Sequence, residues 1–213
     1  MKQLLVCLAV VALLAASAQA EDYWGSPFWD RTLPEATFQM WDFTTDYVAP
    51  GEVDNPFGQP PNEPPHIEWP ESAHIEVVPD WTGQSDTTIH IGPGGGKVRI
   101  WIPNNPDENL VKKIFWQMTS DKSPTPTGSP PTTEPPGTDV PTGLPRIGLG
   151  GNWYVYNGMI EIRPNPAGEW LTFDLVECTH IEEIVINTIC TVPEPATLGL
   201  LALGGLALLR RRR

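Results

Sequence analysis

Proline divides this chain into pieces too short for a helical core. Eight prolines fall between Pro50 and Pro79, and eight more between Pro124 and Pro145. Each fixes its own φ and gives up the amide hydrogen that helix interiors and inner strands need. The second stretch, Ser123 to Pro145, adds serine, threonine and glycine with almost no apolar residue. That composition predicts an extended, solvated loop, with hydroxyls that could carry O-linked sugar.

Between the proline stretches lie short runs in which apolar and polar residues alternate, the period of a half-buried strand. They are Phe38–Phe43, His74–Val78, Thr87–Ile91, Lys97–Ile102, Lys113–Met118, Trp153–Tyr156, Met159–Arg163, Leu171–Glu177 and Glu182–Ile189. In one of them Ile114, Trp116 and Met118 share a face; in another Leu171, Phe173 and Leu175 do, with Thr172 and Asp174 outward. Many strands without an amphipathic helix predict an all-β fold, an antiparallel β-sandwich or jelly roll. We place it over about residues 36–190 of an ectodomain spanning 21–192, with 123–145 looped out. Trp116 and Trp170, lying in alternating runs, are expected in the core.

The two ends carry delivery signals rather than fold. Residues 1–20 have a basic start at Lys2, an apolar stretch from Leu4 to Ala16, and Ala18-Gln19-Ala20 before Glu21. This pattern predicts a signal peptide cleaved after Ala20, leaving Glu21 as the mature N-terminus and removing Cys7. At the other end, Pro193-Glu194-Pro195 precedes the small and apolar run Ala196–Leu209 and the cluster Arg210, Arg211, Arg212 and Arg213. A helix over 196–209 would be about 21 Å long at 1.5 Å per residue. The hydrocarbon core is roughly 30 Å thick, a gap that bilayer thinning or snorkelling arginine stems can narrow. The expectation is a single transmembrane helix holding a precursor in the inner membrane, with the arginines on the cytoplasmic side.

The order Pro-Glu-Pro, Leu/Gly/Ala-rich helix, arginine cluster over residues 193–213 resembles the PEP-CTERM sorting signal of bacteria, which also circulates under the name "ice-binding protein C-terminal domain". The resemblance implies export and recognition by exosortase, an integral-membrane cysteine protease, on the way to the cell surface or the surrounding exopolysaccharide. Ice binding itself would need a regular threonine face, and no T-x-T ladder is present. A second likeness concerns Gly168-Glu-Trp-Leu-Thr-Phe-Asp174 and Ile181-Glu-Glu-Ile-Val-Ile-Asn187, which resemble the closing strands of galactose-binding-like jelly rolls. Glu182 and Glu183 stand where that pattern often has aspartate.

Charge narrows the partners. With Lys2, Glu194 and the four terminal arginines set aside, 8 lysines and arginines face 25 aspartates and glutamates, a formal −17. Such a surface repels nucleic acid and anionic lipid and favours cations or basic partners. Cys178 and Cys190 are the remaining cysteines, too few for a disulfide scaffold. If Leu171–Glu177 and Glu182–Ile189 formed a hairpin around Thr179-His180, Cys190 would lie roughly 30 Å along the strand from Cys178. A disulfide needs Cα atoms within about 7 Å, so no Cys178–Cys190 bond is expected.

Chemistry-bearing motifs are sparse. Gly92-Pro-Gly-Gly-Gly-Lys97 lacks the spacing and the Ser/Thr of a P-loop, and reads as a glycine turn joining Thr87–Ile91 to Lys97–Ile102. His66, His74, His90 and His180 have no zinc-motif spacing, so no metal ligand set is assigned. Asn104-Asn-Pro-Asp-Glu-Asn109 offers oxygens for a structural calcium ion or is a plain polar turn, and no other cofactor is expected. No nucleophile elbow is present, and so many carboxylates make any single acid pair uninformative. The nine tryptophans stand out. Trp24, Trp29, Trp69 and Trp81 sit among prolines and glycines, where two readings fit: indoles anchoring loops to the sandwich, or indoles stacking on sugar. Together these residues point to a non-catalytic structural or glycan-contacting envelope protein; the alternative is a secreted carbohydrate-active enzyme on the same fold.

Overall fold

A computed structural model describes residues 28–43, 48–58, 63–80, 82–124, 131–142 and 145–192. The expected signal peptide, the sorting tail and its membrane helix lie outside these residues. Thirteen strands, numbered along the chain, form two antiparallel sheets. The larger has nine strands along the order β10 (Ile147–Gly150), β11 (Trp153–Ile162), β7 (Val111–Ser120), β13 (Thr179–Thr191), β1 (Ala36–Trp41), β2 (Glu52–Asp54). A hairpin of β4 (Ala73–Pro79) and β5 (Ser85–Ile91) joins it through β13, and β9 (Thr138–Val140) pairs with β11. The smaller sheet runs β3 (His66–Glu68), β6 (Gly96–Pro103), β12 (Gly168–Leu175), β8 (Thr132–Glu134). Among the described residues the only helix is one 3-10 turn, Pro56–Gly58, and none is long and apolar enough to cross a membrane.

The alternation in the sequence becomes the inter-sheet core. Ile114, Trp116 and Met118 from β7, Ile184 and Ile186 from β13, Val98, Ile100 and Ile102 from β6, and Leu171, Phe173 and Leu175 from β12 pack into one buried cluster. β13 is the spine: Thr179–Ile181 pairs with β5, Ile184–Ile189 with β1, and its other edge with most of β7.

Four expectations are corrected. The segment 123–145 is not wholly a loop, since Thr132–Glu134 pairs with β12 and Thr138–Val140 with β11, bridging the two sheets. Trp153–Tyr156 and Met159–Arg163 are one strand, because Gly158 presents no side chain and the Trp116 indole lies across it; a Cβ there would sit 2.6 Å from the ring. Thr172, expected at the surface, is buried, since β12 is an inner strand flanked by Arg99 of β6 and Thr132 of β8. Leu171–Glu177 and Glu182–Ile189 do not form a hairpin: β12 and β13 belong to opposite sheets, and Cys178 turns the corner at φ 55°. Both cysteines are nevertheless free thiols, Cys178 exposed and Cys190 buried.

The glycine turn is likewise an inter-sheet corner, carrying the chain from β5 to β6. Gly94 and Gly95 take φ of 91° and 69°, the left-handed half of backbone space that side chains disfavour. The two corners are stitched together: the Cys178 amide donates to the Ile91 carbonyl at 2.7 Å, and the Gly94 amide to Glu177 Oε2 at 3.2 Å.

Candidate functional site

The outer face of the small sheet gathers aromatic side chains. Strand parity sends Val98, Ile100 and Ile102 inward and leaves Arg99 and Trp101 on the opposite, half-exposed face. On β12, Trp170 stands directly opposite Trp101, and His66 of β3 opposite Trp101 on its other side. The indole centroids are 5.3 Å apart, and the His66 ring meets Trp170 edge-on at 5.4 Å. Trp170 is therefore not a core residue: Leu171, Phe173 and Leu175 occupy the buried parity and Trp170 the other.

Polar groups hold this row in place. The Arg99 guanidinium lies 4.2 Å from the Trp170 ring centroid, and Glu68 and Glu134 hold it from either side at 3.0 and 3.5 Å. The His66 Nδ1–H donates to the Pro64 carbonyl at 3.0 Å, and its Nε2 lies 3.7 Å from Glu63. Trp101 lies so close over Gly168 that any Cβ there would collide with its ring. Beside it opens a groove of about 240 Å³ lined by Phe57, Glu63, Trp101, Pro103, Pro106 and Gly168. The proline-rich stretch builds one wall, with Gly58 packed against Pro65 and Pro103 too tightly for a side chain.

The two sequence-predicted aromatics among the described residues, Trp29 and Trp69, sit elsewhere. Trp69 packs on the core with its ring edge-on to Phe43 at 5.5 Å. Trp29 is half-buried and tilts on Phe28, whose ring meets Phe115 edge-on. Both described members of the set thus have loop-anchoring contacts; Trp24 and Trp81 lie outside the described residues. Trp101 and Trp170 were recoverable from parity alone, because each alternates against an apolar triplet.

The loop considered for calcium uses its oxygens within the chain. Asn104 is buried, with Oδ1 accepting from Lys112 Nζ at 2.8 Å and from the Cys190 thiol at 2.9 Å. Asn105 Oδ1 accepts from the Asp107 amide, and Asp107 Oδ1 from the Asn109 amide. Glu169, hydrogen-bonded by the Asn104 side-chain amide, is fully buried, and burial raises its pKa to about 7 against the pull of Lys112.

The strand order brings together histidines that the chain keeps apart. His74, His90 and His180 sit at one level of β4, β5 and β13, with Glu76 beside them. Partial burial, then the neighbouring His180, holds the His90 pKa below the ordinary imidazole value.

The last strand of the fold ends at Thr191, where the tail begins. Residues 191–213 match the PEP-CTERM protein-sorting motif. The motif implies export, recognition by exosortase and sorting to the cell surface. The PEP-CTERM match takes in Pro193, Glu194, Pro195 and Arg210 to Arg213, the residues read from the sequence as the sorting signal. The match does not extend into the two-sheet body, residues 36–190, and no curated protein matches the chain.

Proposed function

We propose that the chain is a non-catalytic surface or matrix protein whose sandwich contacts glycan through the outer face of its small sheet. The observation that carries this reading is the Trp101–Trp170 pair, half-exposed beside an open groove on a rigid four-stranded sheet. Indole faces stack on the apolar faces of sugar rings, and side chains on strands are held more rigidly than those on loops. A groove of about 240 Å³ is smaller than the usual small-molecule pocket and suits one or two sugar rings. With a formal −17 over residues 21–192, a neutral glycan is favoured over an acidic one.

What supports a binding role over hydrolysis is the placement of the carboxyls. Glycosidases need two carboxyls flanking the bond to be cut. Glu63 lines the groove, but Glu169, the carboxyl with an acid-like pKa, is sealed below Asn104 and paired with Lys112. The test is a glycan array and affinity electrophoresis with the purified protein, Trp101→Ala and Trp170→Ala. Retardation by a neutral polysaccharide that either substitution abolishes is expected. Absence of binding to every glycan, or release of reducing sugar on incubation, would overturn the reading.

Delivery completes the proposal. The precursor is held in the inner membrane by residues 196–209 until exosortase acts, and the body is then released to the surface or the exopolysaccharide. In a host without exosortase the full chain should partition with membranes; recovery in the soluble fraction would refute the anchor.

A further inference from the structure

We propose that His74, Glu76 and His90 form a binding site for one divalent transition-metal ion of the zinc type, with the His180 ring stacked on His90 beside it. Three adjacent antiparallel strands supply the histidines at matched register: His74 is paired with His90 across β4–β5, and His90 with His180 across β5–β13. Glu76, two residues beyond His74, shares its face of β4. The ligand atoms of His74, Glu76 and His90 all lie within 4.8 Å of one another.

The spacing of these three donors matches three corners of a tetrahedral site, with the fourth position left for water. Zinc bonds to nitrogen and oxygen are about 2.0–2.1 Å long, which sets donor–donor edges near ~3.4 Å. His74 Nε2 lies 3.2 Å from His90 Nδ1, and Glu76 Oε2 lies 3.2 Å from His90 Nδ1, 3.5 Å from His180 Nε2 and 4.0 Å from His74 Nε2.

Hydrogen bonds on the far side of two rings decide which nitrogens are free. His74 Nδ1 faces the Ser72 carbonyl at 3.3 Å, and a carbonyl can only accept, so the proton sits on Nδ1. His180 Nδ1 faces Asp121 Oδ2 at 2.9 Å, and the same argument places its proton there. Asp121 is itself fixed, because its Oδ1 accepts the His180 amide at 2.8 Å. Both Nε2 atoms therefore present lone pairs toward Glu76, itself an acceptor. Lone pairs converging on a carboxylate repel unless a cation sits between them. A carboxylate or carbonyl behind a ligating histidine is also the usual outer support of a metal site. Two imidazoles and one carboxylate suit zinc and its first-row neighbours, not calcium or magnesium, which prefer an all-oxygen shell.

Such an ion would have a structural consequence. β4 is hydrogen-bonded only to β5, whereas β13 is the spine of the large sheet. An ion held by β4 and β5 clamps this edge hairpin, whose His90 ring stacks on His180 of β13.

The test loads the metal-stripped full chain with Zn²⁺ and, separately, Co²⁺, and reads stoichiometry, affinity against a chelating indicator, and melting temperature. One equivalent of Zn²⁺ per chain, a rise in melting temperature and the intense visible absorption of tetrahedral Co²⁺ are expected. His74→Ala should lose at least tenfold in affinity together with the thermal shift. His74 is 57% exposed, so its removal does not threaten folding. No Zn²⁺ uptake by the wild-type chain, or uptake and thermal shift unchanged in His74→Ala and Glu76→Ala, would overturn the site.

Discussion

Lys112 Nζ lies 3.4 Å from Glu169 Oε1, and neither side chain is exposed to solvent. β7 of the large sheet carries the lysine and β12 of the small sheet the glutamate, so the pair ties the two layers together. Asn104 serves both partners, accepting from Lys112 and donating to Glu169 Oε2 at 3.3 Å. Removing one partner of a buried pair leaves an uncompensated charge and costs about 3–5 kcal/mol, whereas replacing both with apolar residues is often neutral. Chemical denaturation should show Lys112→Ala destabilised by that amount, and the double change Lys112→Met with Glu169→Leu recovering most of it. Equal losses in the single and double variants would show that the pair does not act as a unit.

The same pair sets a pH dependence. The pKa of Glu169 is raised from 4.5 to about 7, chiefly by burial. A raised carboxyl makes the folded state bind more protons than the unfolded one between those values, so its contribution to stability falls as pH rises from about 4.5 to 7 and is flat above. At about 1.4 kcal/mol per pH unit the fall is on the order of 3 kcal/mol. The wild-type stability curve minus that of Glu169→Gln should slope downward through this window. Parallel curves would mean that Glu169 does not titrate there.

At the β5–β6 corner the two glycines should differ in cost. Gly94 has open space where a Cβ would go, so Gly94→Ala meets only the unfavourable φ of 91°. Gly95, at φ 69°, would also drive a Cβ into the Leu175 carbonyl. Left-handed backbone costs an L-residue roughly 1–2 kcal/mol. Gly94→Ala should therefore lose about that much in thermal denaturation and Gly95→Ala distinctly more. Indistinguishable losses would indicate that the β5–β6 corner relaxes away from Leu175.

How far the sequence reveals the fold depends on strand length and on which strands meet. Ile114, Trp116 and Met118 announce their buried face because β7 is long enough to repeat an apolar residue at every second position, even though Phe115 on the other face is buried too. Thr132–Glu134 and Thr138–Val140 announce nothing: at three residues each, with Val140 the one apolar side chain among the six, they are strands only because β12 and β11 offer them free edges. Trp101 and Trp170 are legible once parity is followed through the whole run. The histidine row is not, since His74, His90 and His180 become neighbours through the register of three strands, which spacing along the chain does not encode.

The two thiols should respond differently to alkylation. Cys178 is exposed in the turn between the sheets, so a reagent can reach its sulfur. Cys190 is buried on β13, its Sγ donating to Asn104 Oδ1 at 2.9 Å. Burial raises its pKa, outweighing the nearby Lys112 charge. Alkylation proceeds through the thiolate, so a buried thiol with a raised pKa is protected both by access and by protonation. Iodoacetamide at mildly alkaline pH should modify Cys178 in the native protein while leaving Cys190 intact, and both should react in denaturant. Peptide mass spectrometry reads each site separately. Labelling of Cys190 at the rate of Cys178 under native conditions would mean that the Asn104–Lys112–Glu169 cluster opens readily. A mass shift linking the two cysteines before alkylation would contradict the corner between β12 and β13, because the eleven residues between them, Thr179 to Ile189, run along one extended strand toward Cys190.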